Sequence, residues 1–562
     1  MKKLLLLTTL LGSMTVYGAG PATSDLVNDA ATPSDITTYG GGYDLQRHSP
    51  LKQINRDNVK RMVPVWNLSL ANNYPQEGQP LLIDGVMYET TTDATVAIDP
   101  LTGKQLWRTP VPLPGDVHAV ACCGSHNRGV AAYNGMLFRG TLDAFVIALD
   151  MKTGKELWRQ EAADYKAGYS MTGAPLVANG VLITGISGGE YGTRGFLDGW
   201  DPTTGEKLWR RYTTAAPDEP GGDSWAGSKA YLEGGGPTRL TGSYDPEMDL
   251  VFWGTGNGGP WNPTGPREGD NLYINCALAI KPKTGEIVWH FQFSPNDPYD
   301  YDGVNELVLA ELPIDGKPRK VIMQANRNGF FYVLDRATGK LLAANPFVKK
   351  INWAEGIDLE TGRPIDTEMT TMVRNTPEMK EAVEVWPSAL GGKNWMPMSF
   401  DPSTGLVYAN TQNYGMTYLT LIEEKEPKTF YLGVEFGFVY PEDGMHGYLK
   451  AIDPMTGKSK WEVPSELPNL SGVLSTAGGV VFTGRMDGEF AAYDSATGKK
   501  LWGFQTGSGI TGIPVTWERN GKQYVTVASG IGGVYAIFSG DERLNNIPPG
   551  GSLWTFALFD EE

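Results

Sequence analysis

Cys122 and Cys123 are adjacent in a chain of 562 residues that holds only three cysteines. A disulfide ordinarily wants its Cα atoms roughly 4.4–6.8 Å apart, and neighbours across a trans peptide sit at about 3.8 Å, so a bond between these two requires a distorted backbone. Distortion of that kind is usually kept for a use. The closed ring is small, rigid, flat and apolar, which suits stacking against a planar ligand; the alternative is two reduced thiols in a core. A second cluster is Asn296-Asp297-Pro298-Tyr299-Asp300-Tyr301-Asp302-Gly303. Alternation along an extended segment would put Asp300 and Asp302 on one side, and two carboxylates side by side repel unless a cation sits between them. The plainer reading is an acidic surface loop.

The elements that must hold these groups begin with a leader. Lys2 and Lys3, the apolar run Leu4 to Tyr17 and the small residues Gly18, Ala19 and Gly20 read as a signal peptide over residues 1–20, with the mature chain, 21–562, exported to the periplasm. That compartment favours the oxidised cysteine pair. No later apolar run has membrane-spanning length, so no membrane span is expected. A formal charge of −17 argues against nucleic acid, whose phosphates need basic patches, and is compatible with a basic protein partner.

One phrase recurs: an apolar strand ending in Asp, two variable residues, Thr-Gly, then a strand bearing Trp. It runs from Asp99 to Trp107, Asp150 to Trp158, Asp201 to Trp209, Asp335 to Gly339, Asp453 to Trp461 and Asp494 to Trp502, with Lys281 replacing Asp in the copy ending at Trp289 and a partial copy from Asp401 to Gly405. Asp can bond its own turn backbone, Gly can take the left-handed conformation, and the returning strand carries a large ring. One hairpin cannot bury its own face. Repeats of this length in groups of four strands therefore predict an all-β, eight-bladed β-propeller as a single domain, with each Trp packing between blades. Residues 213–233, 345–395 and 411–446 break the pattern and are expected as loops and short helices at one end. The segment from 39 to about 60 is expected to pack across an outer blade.

Cys122-Cys123 with Asn127-Arg128-Gly129, Ser187-Gly188-Gly189-Glu190, Gly254-Thr255-Gly256-Asn257, the Asp300 and Asp302 loop, Asn326-Arg327-Asn328-Gly329 and Gly392-Lys393-Asn394-Trp395 occur in order over essentially the whole mature chain. Together they resemble the quinoprotein methanol/ethanol dehydrogenases, which use pyrroloquinoline quinone (PQQ). The resemblance implies a quinone near the propeller axis and a cation bound to it. By motif, Glu190, Asn257 and Asp300 would hold the cation, all oxygen donors as a hard ion requires. Asp302 resembles the lanthanide-dependent branch, so the expected ion is a lanthanide, with Ca2+ the alternative. Asp300 would be the general base as hydride passes to the quinone C5 carbon, the cation would act as Lewis acid, and Arg327 would bond the reactive edge of the quinone. Glu77, Arg128, Thr172, Ser187, Gly188, Gly189 and Asn394 would anchor PQQ, with Cys122 and Cys123 as a lid over one face.

Three positions depart from the family pattern. Arg239 stands where a Trp usually stacks on the quinone, and its planar guanidinium could stack instead and attract an anionic cofactor. Leu470 and Val534 replace large rings over the substrate cavity, which implies an alcohol larger than methanol, primary or bulky secondary, oxidised to aldehyde or ketone. No Cys-x-x-Cys-His haem attachment is present, so no haem is expected and a separate periplasmic cytochrome c would accept the electrons. Cys276 reads as an inert core thiol. His118 and His126 flank the cysteine pair, either lining the site or serving structure. A homodimer is compatible with the chain. Two other readings remain: a non-catalytic periplasmic propeller scaffold that binds proteins, and a dehydrogenase-derived protein that has lost PQQ.

Overall fold

The structure, a computed structural model, describes residues 20–265, 267–426, 428–532 and 539–559. Residues 1–19 of the expected leader, and Val534, lie outside the described residues. Among those described, antiparallel strands dominate, in seven four-stranded sheets, one five-stranded sheet and two smaller ones. No helix in the described residues is long and apolar enough to cross a membrane.

The repeated phrase is the turn between the third and fourth strands of a sheet. Ala94–Ile98 leads through Asp99 to Gln105–Pro110. Asp99 Oδ1 accepts from the Leu101 and Thr102 amides at 2.9 and 3.3 Å, the Gly103 N–H donates to the Asp99 carbonyl at 2.9 Å, and Gly103 has a φ of +70°. That glycine is required twice over, because a Cβ there would also sit 2.7 Å from the Trp66 ring of the neighbouring sheet. The relation repeats around the molecule: Gly154 lies against Trp107, Gly205 against Trp158, Gly285 against Trp209, Gly339 against Trp289 and Gly498 against Trp461. The indole N–H groups of Trp107, Trp158, Trp209 and Trp461 donate to the Met151, Pro202, Pro282 and Ser495 carbonyls of the next turn at 3.0–3.2 Å or 2.9 Å. In these repeats the Trp thus packs onto the glycine turn of the next sheet, while Trp502 donates to the Met62 carbonyl of the closing sheet at 3.1 Å.

The ring closes between the two ends of the chain. Met62–Ser69 pairs with Ser552–Leu558, which is followed in the sheet by Lys522–Ser529 and Val515–Arg519. Because its outermost strand comes from the N-terminal side, this sheet has no third-to-fourth turn and no copy of the phrase. The Asp401 to Gly405 copy is corrected accordingly: it joins the first two strands of a sheet, Ser399–Asp401 and Leu406–Gln412, whose own phrase is the one at Asp453.

Two further expectations are corrected. The irregular segments carry strands as well as helical turns, a hairpin of Ala354–Ile357 with Pro364–Asp366 and a three-stranded sheet of Val383–Val385, Gly415–Thr420 and Val434–Val439, because backbone buried beneath long loops must still pair its N–H and C=O groups. Of the segment from 39 to about 60, the part up to Ser49 does not lie on one outer blade, whereas Ile54 and Val59 pack in one cluster with Leu501, Trp502 and Phe504 of the end strand Lys500–Gln505. Ile36 bridges Leu82, the Tyr43 hydroxyl bonds the Val177 carbonyl, and Asp44, Gln46 and Arg47 carbonyls accept from the Leu309, Phe400 and Ser475 amides. A single strap bonded to the first strands of so many radially arranged sheets must cross their common centre. It closes one end of the molecule and leaves the other for a site.

Candidate functional site

The motifs that are not repeats converge on one cavity. Its walls include Glu77, Cys122, Cys123, Arg128, Thr172, Ser187, Gly188, Glu190, Arg239, Asp300, Arg327 and Asn394, which come from loops between different strands and different sheets. The Cys122 and Cys123 sulfurs are bonded to each other, with Cα atoms 3.8 Å apart and Cys123 at a φ of +64°, and the ring they close lies on the cavity wall. Polar groups line the rest of the wall. The Arg128 guanidinium lies 2.6 Å from the Glu77 carboxylate, donates to the Thr172 hydroxyl at 3.0 Å and stands 5.0 Å over the Trp395 ring, and the Thr172 and Ser187 hydroxyls are 3.1 Å apart. Gly188, at a φ of +126°, and the single helical turn Gly189–Tyr191 deliver Glu190 to the wall.

The acidic stretch reaches the same place by a route the sequence did not suggest. Residues 296–303 are not an extended strand: Asp300 is left-handed, at a φ of +61°, a conformation Asp tolerates better than most residues. Both carboxylates nevertheless meet one guanidinium. Arg327 Nη1 lies 2.7 Å from Asp300 Oδ2 and its Nη2 lies 2.7 Å from Asp302 Oδ2. Nη1 also donates to the Asp300 and Ala389 carbonyls at 3.0 Å, and Nη2 to Asn394 Oδ1 at 3.4 Å. Asp302 is fully buried and accepts from the Asn257 amide at 2.7 Å and from the Arg239 guanidinium. The cation between the two carboxylates in this structure is therefore Arg327, with Arg239 as a second.

Electrostatics separates the two acids. Burial pushes the Asp300 carboxyl well up, against the pull of Arg327. Asp302 is just as buried, but Arg239 and then Arg327 hold it below the usual carboxylate range, so a proton entering this pair goes to Asp300. Burial also raises Glu190. Among the described residues no group of three or more His, Cys, Asp or Glu side chains is set for a metal ion. An oxygen set with an amide in it is nevertheless at hand: Asn257 Oδ1 and Asp300 Oδ1 are buried without a hydrogen-bond partner, and Glu190 lines the same cavity as Asp300. Buried oxygens of that kind fit a hard cation.

Gly189, Asn257 and Asp302 stand behind the wall rather than on it; a Cβ at Gly189 would come 2.8 Å from Asn257 Oδ1. Leu470 is buried in an apolar cluster with Trp395, Leu240 and Met486, one layer back from the cavity. His126, for which a place in the site and a structural role were both open, and Trp395, which had no role assigned, line the cavity directly. Their positions inside the Cys122 and Asn394 motifs were the available signal. Burial, then Arg128 and Arg239, push the His126 imidazole well below its ordinary value, so its 3.7 Å approach to Glu77 is a neutral contact. His118 is exposed and stacks on Tyr74. Cys276 opens the fully buried strand Cys276–Ile280, where burial drives its thiol well up and leaves it inert.

Residues 37–344 and 443–525 match the family model described as "PQQ: Glucose/ethanol/alcohol dehydrogenase, beta-propeller domain". The chain belongs to the PQQ-dependent alcohol dehydrogenase family. Its fold is accordingly the β-propeller of that family. It is 42% identical to quinoprotein alcohol dehydrogenase PedH of Pseudomonas putida, over 99% of this chain and 97% of that one. It is 40% identical to 1-butanol dehydrogenase (quinone) of Thauera butanivorans, over 95% and 94%. Among solved structures, a europium-containing methanol dehydrogenase superposes with a TM-score of 0.90 at 35% identity, covering 95% of this chain and all of that one. Quinohemoprotein members also match, one from Pseudomonas putida at 42% identity over 90% of this chain and 75% of its own length.

Proposed function

We propose that this protein is a periplasmic PQQ-dependent alcohol dehydrogenase, an eight-bladed propeller that oxidises an alcohol larger than methanol, primary or bulky secondary, to aldehyde or ketone. The observation that carries this reading is the cavity wall, on which the cysteine pair, Glu77, Arg128, Thr172, Ser187, Gly188, Arg239, Arg327 and Asn394 meet. Arg128 and Arg239 offer guanidinium groups to the carboxylates that PQQ carries, and the Cys122-Cys123 ring offers an apolar face. Gly189, Val534 and Leu470 belong to the same reading, Gly189 as part of the cofactor turn and the other two as parts of the substrate pocket, where Leu470 supports Trp395 from behind.

PQQ, when bound, supplies the two-electron acceptor, and a lanthanide or calcium ion held by Glu190, Asn257, Asp300 and, for a lanthanide, Asp302 supplies Lewis acidity. The rest falls to the chain itself. Asp300 takes the alcohol proton: its Oδ1 is buried and unpartnered, while Oδ2 is anchored on Arg327. Burial raises its proton affinity, which favours a base, and a bound cation would lower it again, so close positioning of the alcohol must carry much of the rate. Arg327 holds Asp300 and Asp302 in register and keeps a positive charge where negative charge builds. Electrons then leave to a separate cytochrome c, a basic partner for an acidic chain.

Apoprotein reconstituted with PQQ plus Ca2+ or a light lanthanide, assayed by dye-linked oxidation of short, long and secondary alcohols, tests the reading. Turnover of the larger alcohols, lost in a folded Asp300→Ala variant, is the expected result. Retained turnover in that variant would remove Asp300 from the mechanism. Silence with both metals in a folded protein would favour the scaffold.

A further inference from the structure

The site described above carries its own cation in a place of some consequence. Arg239 lines the same cavity as Glu190 and Asp300, and its guanidinium is bonded to Asp302 Oδ2. Arg327 Nη2 lies 2.7 Å from that same oxygen, and the Asn257 amide holds Asp302 Oδ1 at 2.7 Å. Both oxygens of Asp302 are therefore engaged, in a side chain with no exposure to solvent. Asp300 is engaged less completely: it keeps one buried oxygen without a partner, and so does Asn257. Arg239 also feels the charges of Glu190 and Asp300, after that of Asp302.

We propose that Arg239 sets the charge of the ion this site accepts. While Arg239 pairs with Asp302, a cation meets two carboxylates, Glu190 and Asp300, and the amide oxygen of Asn257, a set whose charge matches a divalent ion. A trivalent ion that recruits Asp302 as a third carboxylate must displace Arg239 from it. While the guanidinium stays nearby, its positive charge repels a trivalent ion half again as strongly as a divalent one. Both effects act in the same direction, and both lower the preference for a lanthanide over calcium that Asp302 would otherwise confer. Arg327 cannot play this part alone, because its other contacts, to the Asp300 and Ala389 carbonyls, tie it to the backbone. Arg239 reaches Asp302 from the end of a long side chain.

The inference rests on the reading of Glu190, Asn257 and Asp300 as the cation set, and its test separates the two. Full-length protein stripped of metal and loaded with equimolar PQQ is titrated calorimetrically with La3+ and with Ca2+, for the wild type, Arg239→Gln, Arg239→Lys and Glu190→Gln. Arg239→Gln is expected to raise the ratio of La3+ to Ca2+ affinity about ten-fold or more, and Arg239→Lys, which keeps the charge, to hold it near the wild-type value. Should Arg239→Gln fail to fold, as judged by near-UV circular dichroism, Arg239→Met carries the same comparison. An unchanged ratio in the neutral variant, with binding abolished in Glu190→Gln, would overturn the role of Arg239 and leave the cation set standing. Binding that survives Glu190→Gln undiminished would overturn the cation set, and the role of Arg239 with it.

Discussion

Arg327 Nη1 lies 2.7 Å from Asp300 Oδ2, with both side chains buried at the cavity wall. The same guanidinium holds Asp302 through Nη2, so one planar fork fixes the distance between two carboxylates that would otherwise repel. A lysine offers a single point of charge and cannot span both. Arg327→Lys is expected to lower kcat by about 10²–10³-fold, as removal of one preorganised donor typically does. PQQ retention, read by absorbance of the reconstituted protein, should change far less; a variant that loses both equally would mean that Arg327 chiefly holds the cofactor.

The cysteine ring closes a loop too short to restrict the unfolded chain much. Replacing both cysteines with alanine should therefore change the unfolding free energy by about 1 kcal/mol or less. Quinone binding is where the loss should appear, because a flat face of the cavity is removed. Equilibrium titration with PQQ beside urea unfolding distinguishes the two effects. Unimpaired PQQ binding would leave the ring without its assigned part.

Glu89 lies in the strand Val86–Thr91, fully buried, and burial raises its carboxyl from the ordinary 4.5 to about 8, opposed by the Thr90 amide. The folded protein thus keeps a proton that the unfolded chain releases. The stability this contributes is intact below about pH 4.5 and is lost as pH rises towards 8, at a slope of about 1.4 kcal/mol per pH decade. Glu89→Gln should flatten the dependence across that window and be the more stable protein at pH 8. Denaturant midpoints at several pH values read the difference between the two, and parallel curves would mean that Glu89 does not hold its proton.

Gly103 sits at a φ of +70° with Trp66 packed on it. Gly103→Ala places a methyl group 2.7 Å from the ring and in a strained backbone region, and should destabilise by about 1–3 kcal/mol. Urea unfolding measures it. A neutral effect would mean that the Trp-to-glycine contact between sheets is slack.

The repeat was legible because it is local. Asp99, Thr102 and Gly103 form their turn from neighbouring atoms, so a phrase of a few residues states its own geometry, and counting the phrase counted sheets. The seven full copies each mark one sheet; the partial copy at Asp401, which brought the expected number to eight, joins the first two strands of a sheet already marked by Asp453, and the sheet that Met62–Ser69 closes from the other end of the chain carries no copy. The strap from Ile36 to Ser49 was not legible for the opposite reason, since its partners, Leu82 to Ser475, are spread over nearly four hundred residues.

For the site, the sequence by itself determined the cast: an adjacent cysteine pair, oxygen donors in loops that no hairpin requires, and an arginine at position 239 in place of a ring. Residue types and motif spacing encode which chemistry is available. Only the tertiary structure decided who pairs with whom. Asp300 and Asp302 share Arg327, Asp302 takes Arg239 as well, and His126 and Trp395 join the wall, because each of these contacts crosses from one sheet's loops to another's. Charge pairing in a buried site depends on distances of a few ångströms between residues far apart in the chain, and closure of the sheets around a common centre is what sets those distances.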